Sequence, residues 1–216
     1  MYYVEDDHEA IVSARIWECV QLELEWRKRY LEEHGLNSYS RNTETNPFAS
    51  KIICGNDNKA FTRKGWRGSS GDRKVWQCSE RYRVKGIMGC GNRHLDEETL
   101  EKAYMMAWNA LAKNRESFLE RWKEQVLSEN LLEGYRAEKF MEYTDEAQLL
   151  TEMDTDFMLK TLEHIKVFEN GILRVIFLDG TEIECKSEEE EEQMPIGMNC
   201  LIGFFSCPFS HLPFFR

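Results

Sequence analysis

Three cysteines and one aspartate stand where a single metal ion could gather them. Cys54 opens a tight Cys-Gly-Asn-Asp knuckle, and Asp57 occupies the position two residues further on at which a second knuckle ligand stands. Cys78 and Cys90 each close a short apolar or aromatic run, so three thiolates can converge on one ion with Asp57 as the fourth donor. Thiolate-rich sites of this kind are usually structural, and no base stands beside them to make the site hydrolytic. A second chemistry overlaps the first. Between residues 51 and 95 there are eleven Lys/Arg against three acids, a net of +8, whereas the whole chain is at −11 and everything else therefore at −19. A basic block in an acidic chain marks a polyanion contact, because each cation set on a phosphate releases condensed counterions. Arg63, Lys64, Arg67, Arg73 and Lys74 flank the glycine-rich stretch Gly65 to Gly71 and are the first candidates for phosphate contact; Arg81, Arg83, Lys85 and Arg93 complete the basic set. Trp66, Trp76 and Tyr82 lie among them, either to stack on sugars and bases or to form the miniature core of so short a ribbon.

The elements that must position these groups follow from patterning. The expected fold class is α+β: a small zinc β-ribbon, a long helical coiled-coil hairpin and a C-terminal three-stranded β meander. Ser13 is a good N-cap for a helix ending near His34, with Gly35 as its stop and Ile16, Val20, Leu24 and Leu31 or Tyr30 as its apolar face. Residues 37–50 are polar and turn-rich and are expected as a linker. The ribbon over 51–95 should hold short strands at 51–54, 59–63 and 73–78. Its own core is small, so metal ligation is expected to supply much of its folding free energy.

Asp96 caps a helical region in which Leu100, Tyr104, Ala107, Leu111, Phe118, Trp122 and Val126 recur mostly every three or four residues. A second helical segment starts at Leu131, so residues 96–152 form a coiled-coil hairpin or, alternatively, two ordinary helices of a globular bundle; the heptad register breaks around Asn114 and Arg121. Within 153–186 a short helix capped by Asp154 or Thr155 precedes two hairpin signals, Asn170-Gly171 and Asp179-Gly180, which give the meander. Beyond it lie an acidic run, Glu188 to Glu192, and an apolar tail interrupted by Pro195, Pro208 and Pro213. No clean stretch of about eighteen apolar residues occurs there. A membrane anchor is thus disfavoured, and the tail is expected to be non-native sequence from beyond a truncation or a shifted frame.

With 216 residues, 42% hydrophobic and 31% charged, the chain is long enough for one ordinary domain or two small ones. It starts without a cationic, apolar leader, and seven cysteines with three clustered in a basic region fit a reducing cytosol better than a secreted disulfide framework. Cys19, Cys185, Cys200 and Cys207 are then ordinary thiols. The five histidines are scattered and assemble no nucleophile, base and oxyanion set.

The order HEAIVSARIWECVQ, NPFASKIICGND, RKVWQCSERYRVKGIMGCGNRHLDEETLEKA and EHIKVFENGILRVIFLDG resembles the C-terminal part of a large serine recombinase, of the resolvase/integrase type, over most of residues 3–186. The resemblance implies that 1–36 is the tail of a recombinase domain, 51–95 the recombinase zinc β-ribbon and the long helices its coiled coil. It also implies recognition of double-stranded attachment-site DNA by the ribbon and contacts with other recombinase subunits through the coiled coil. Two departures matter. The family knuckle is Cys-x-x-Cys, whereas here it is Cys54-x-x-Asp57; Asp57, His94, water or no metal at all stand open for the fourth position. The family's N-terminal domain attacks a DNA phosphate with serine, and Tyr39-Ser40-Arg41 only superficially matches its catalytic segment. The expectation is a cytoplasmic, nucleoid-associated DNA-binding fragment that begins inside a longer gene and has no strand-exchange chemistry of its own. The alternative is a zinc-ribbon and coiled-coil module that pairs with an intact recombinase subunit.

Overall fold

Ile165, Val167, Leu173, Val175, Phe177, Ile183 and Cys185 alternate along three consecutive strands, and all are buried against a layer of helices. The computed structural model describes residues 10–37, 45–68, 71–145 and 147–186. The Tyr39-Ser40-Arg41 segment, the acidic run and the apolar tail lie outside them. In chain order the elements are α1 (Ala14–His34), β1 (Ile52–Cys54), β2 (Phe61–Gly68), β3 (Gly71–Cys78), α2 (Glu97–Lys113), α3 (Glu116–Val126), α4 (Leu131–Thr144), α5 (Thr155–Thr161), β4 (Leu162–Val167), β5 (Ile172–Phe177) and β6 (Glu182–Lys186).

The strands form two sheets. β2 and β3 make an antiparallel ladder from Phe61↔Cys78 to Gly68↔Gly71. It is longer than expected: Gly65, Trp66 and Arg67 continue β2 instead of opening a wide turn, because each has a ladder partner in Lys74, Arg73 and Asp72. The second sheet runs β1-β4-β5-β6. Its last three strands are antiparallel, with left-handed backbone at Gly171 (φ 80°) and Gly180 (φ 83°) in the connecting turns. The sequence predicts three strands there, and the fourth comes from the ribbon: β1 pairs parallel with β4, Ile52 beside Ile165 and Cys54 beside Val167. The fully buried run Ile52-Ile53-Cys54 has the β-branched, apolar character of a strand covered on both faces.

This join changes the expected organisation. Residues 46–50 do not act wholly as a linker, since Phe48, Ala49 and Ser50 are buried. The ribbon does not depend on a miniature core of its own, since Phe61, Trp76 and Cys78 belong to the same apolar cluster as Trp108, Phe140 and Phe177. Lys51, 3% exposed, donates from Nζ to the Leu162 carbonyl at 2.8 Å, and burial lowers its ammonium to about 8.

The helical region also departs from a long hairpin. The helix capped by Asp96 stops at Asn114, whose side chain returns to the Ala110 carbonyl at 2.7 Å, and α3 restarts two residues later. Three helices of 17, 11 and 14 residues result, α2 lying on β4, β5 and β6 and α3 packing on α4. The periodic residues are buried against strand and helix alike: Trp108 meets Phe177 of β5 at 6.1 Å and Phe157 of α5 at 4.7 Å, and Trp122 meets Phe140 of α4 at 6.2 Å. The Trp108 indole thus reaches a strand and a helix at once, a wider surface than a two-helix seam offers. Several polar tips in this layer are matched: Trp122 Nε1 donates to Asp179 at 2.7 Å, Arg121 to the same carboxylate at 2.6 Å, and the Tyr104 hydroxyl lies 2.8 Å from Thr161 Oγ1.

Ser13 and Gly35 delimit α1 as its sequence predicts, but its seated face is rotated from the expected one. Cys19, Tyr30 and His34 are buried, while Trp17, Val20 and Leu24 are exposed. The seat is chosen by polar matches that hydropathy does not register. Tyr30 donates to the Ser50 carbonyl at 2.8 Å, His34 Nδ1 lies 2.9 Å from the Asn58 carbonyl, and Arg136 of α4 pairs with Glu23 at 2.6 Å and covers Trp26. No helix among the described residues is long and apolar enough to cross a membrane.

Candidate metal centre and nucleic-acid interface

The ligand atoms of Cys54, Asp57, Cys78 and Cys90 lie within 4.8 Å of one another. Each comes from a different piece of backbone: Cys54 ends β1, Asp57 stands in the turn after it, Cys78 ends β3, and Cys90 follows the loop that leaves β3. Cys54 and Cys90 Sγ are 3.6 Å apart, and Cys78 Sγ is 3.1 Å from Asp57 Oδ2. Tetrahedral zinc with Zn–S bonds of about 2.3 Å places its sulfurs about 3.8 Å apart, so the spacing fits that ion.

The surroundings fit it too. Two donors accept a backbone N–H from the residue two positions on, Asp57 from Lys59 at 3.0 Å and Cys78 from Glu80 at 3.4 Å, and the backbone N–H groups of Asn56 and Asn92 favour the thiolates of Cys54 and Cys90. Such N–H groups hold negative charge on sulfur and oxygen without needing a counter-ion. Asn92, completely buried, adds a donor that sequence reading did not find: its amide reaches Cys54 Sγ at 3.2 Å and the Val167 carbonyl at 2.7 Å. It ties the thiol to β4. Its only sequence signal is its place two residues after Cys90, where backbone geometry and not residue type defines the role.

The hydrogen bond from Cys78 pulls the Cys54 thiol down to about 6, against the effect of burial and with help from Asn92. That same bond and burial drive Cys78 up, and burial raises Cys90 to about 11. Burial works against ionised Asp57, but the Lys59 N–H and the neighbouring thiols outweigh it and hold the carboxyl below its usual range. The four groups resist carrying their full negative charge together, and a divalent cation would relieve that resistance. His94 is not part of the group. Its Nε2 faces Gln77 Oε1 at 3.2 Å, and its ring meets Trp66 at 4.7 Å.

The cations divide into tethered and exposed sets. Arg63, expected at phosphate, instead pairs with Glu97 of α2 at 2.7 Å and donates to the Thr45 carbonyl, because it stands on the half of β2 that packs on the body. Arg81 donates to the Gly91 and Asn92 carbonyls and lies over the Tyr82 ring. Arg93 is half-buried. Lys64, Arg67, Arg73, Lys74, Arg83 and Lys85 are exposed; Arg73 lies over Trp66 at 5.1 Å and Arg83 pairs with Glu80 at 3.0 Å. The aromatic residues divide likewise, with Trp76 in the core, Trp66 half-buried and Tyr82 exposed.

Sheet, knuckle and clustered sulfurs define the class, a zinc ribbon fused to a mixed sheet-and-helix body. Residues 47–109 match the family model described as recombinase zinc beta ribbon domain, so this part of the chain carries that domain. The resemblance of the ribbon motifs to a recombinase zinc β-ribbon is thereby borne out over that stretch. Among solved structures, the chain has a likeness to one described as "Crystal Structure of a LSR-DNA Complex", with 12% identity and a TM-score of 0.46 over 80% of this chain and 67% of that one. No curated protein matches the chain.

Proposed function

We propose that this chain is a DNA-binding segment of a site-specific large serine recombinase, which grips double-stranded attachment-site DNA through its ribbon and performs no strand exchange itself. The observation that carries the proposal is charge placement. The far half of the β2–β3 hairpin presents Lys64, Arg67, Arg73 and Lys74 to solvent, while the chain as a whole is at −11. A two-stranded ribbon fits the major groove, and these side chains would meet the phosphates beside it. Zinc held by Cys54, Asp57, Cys78 and Cys90 has a structural role here, fixing the root of the hairpin. The ion's charge offsets the thiolates, and the chain's N–H groups and Asn92 orient them.

The test is a titration against a random pool of duplexes at several salt concentrations, followed by sequencing of the bound fraction. Binding should weaken steeply with salt, at about −0.9 in log K per phosphate neutralised. The triple change Lys64→Glu, Arg67→Glu and Lys74→Glu should lower the affinity and flatten the slope by about three. A slope unaltered by that change would remove the hairpin as the contact surface. The exposed stripe Trp17, Val20 and Leu24 favours a second reading, a module that pairs with an intact recombinase subunit. Association of that kind would barely respond to salt.

A further inference from the structure

The loop between two of the four metal-site residues has its own shape and chemistry. Residues 79–89 leave β3 at Cys78 and return to Cys90, and they close at the root: the Arg81 N–H reaches the Cys78 carbonyl at 3.1 Å and the Gly89 N–H the Arg81 carbonyl at 2.8 Å. Gly89 is obligatory at this closure, since a Cβ there would lie 2.2 Å from the Glu80 carbonyl oxygen. At the tip the Ile87 N–H bonds the Val84 carbonyl at 3.1 Å across Gly86, whose φ of 81° is left-handed. The loop is therefore a defined protrusion, fixed at both ends.

Its surface is costly in water. Tyr82, Val84, Ile87 and Met88 are 57%, 56%, 62% and 61% exposed, four large apolar side chains within seven residues. Arg83 and Lys85 alternate with them and are also exposed, and the loop's one acid, Glu80, already pairs with Arg83 at 3.0 Å. Apolar groups flanked by cations suit a partner with anionic walls and an apolar interior. A DNA minor groove has that form, with phosphates along both edges and stacked bases between. An acidic protein would match the cations but not this narrow alternation. The loop's position agrees: Arg81 at its root bonds the backbone of Gly91 and Asn92, and His94, two residues further along, packs on Trp66 of the basic hairpin.

We propose that residues 81–88 enter the minor groove of bound duplex DNA, where Ile87 and Met88 wedge against a base step and Arg83 and Lys85 meet the flanking phosphates. This rests on the DNA-binding reading above and adds a consequence that reading lacks. The bound duplex is kinked, and its base stack is opened at one step.

The probe is a 40-base-pair duplex recovered from the random pool, carrying an end-to-end fluorescence-transfer pair and 2-aminopurine at successive positions. Wild type should shorten the end-to-end distance and brighten 2-aminopurine at one step. The exposed, charge-preserving double change Ile87→Ser and Met88→Ser should abolish both signals and weaken binding about tenfold with the salt slope unchanged. Lys85→Gln should lower that slope by about one. Zinc content and circular dichroism report whether each variant is folded. Binding by wild type without bending, bending that persists in the double variant, or a slope indifferent to Lys85→Gln would overturn the wedge while sparing the DNA reading. A double variant that bends DNA normally but loses self-association in sedimentation would make the loop a protein contact instead. A wild-type protein that binds no duplex would sink both proposals.

Discussion

A carboxylate stands where a fourth sulfur is expected, and its surroundings have adjusted to it. Asp57 Oδ1 takes the Lys59 N–H while Oδ2 faces Cys78, so one oxygen is anchored and the other points into the cluster. Asp57→Cys should bind zinc more tightly, and competition with a chromophoric chelator should show it, since thiolate is the softer donor. Asn92→Leu removes a buried amide from both Cys54 and the Val167 carbonyl. Its expected cost is on the order of 1–3 kcal/mol in denaturant unfolding, together with faster zinc loss to chelator. An Asn92→Leu protein as stable and as zinc-retentive as wild type would show that the amide is incidental.

Among the elements, α1 brings a buried histidine into its seat. His34 is buried against the Asn58 carbonyl and the rings of Tyr30 and His164, and burial lowers it below its ordinary 6.5. The folded chain then binds fewer protons at this site than the unfolded chain once the pH reaches 6.5, so stability falls as pH drops through that value. His164 faces the same site with Glu163 at 3.3 Å, and Glu33 and Lys166 lie close enough to act on His34. The unfolding free energy of wild type should therefore decline between pH 7 and 5.5 relative to that of His34→Gln. Parallel curves would place the pH sensitivity elsewhere.

At the scale of the molecule, ribbon and body share one apolar core and one sheet. β1 ends in a metal-site cysteine and at the same time is the edge strand of the helix-backed sheet, and the buried apolar residues run without interruption from Phe48 to Cys185. Removing the metal should therefore not fray the ribbon alone. We expect chelator to lower a single unfolding transition, coincident by tryptophan fluorescence and far-ultraviolet circular dichroism. Two separated transitions would mean that the parallel β1–β4 pairing is too weak to couple the halves. Lys51 sits within that join. Between about pH 8 and 10.5 its unfolded form holds a proton that its folded form releases, so wild type should gain stability relative to Lys51→Met as pH rises through that range.

Local chemistry alone determined much of this protein. Ser13, Asp96 and Asp154 cap helices because their side chains reach a backbone N–H three residues on, Asn-Gly and Asp-Gly turn the meander because glycine accepts positive φ, and Cys54, Asp57, Cys78 and Cys90 announce their chemistry by type and spacing. Only the tertiary structure decided that β1 lies beside β4, that Arg63 is held by Glu97, that Asn92 supports a thiol, and that the indole of α2 meets the sheet while that of α3 meets α4. Each of these joins residues far apart in the chain or hangs on which face of an element turns inward. Caps and turns are encoded within a few residues, whereas pairing across more than a hundred is selected by the burial and hydrogen bonding of the whole assembly.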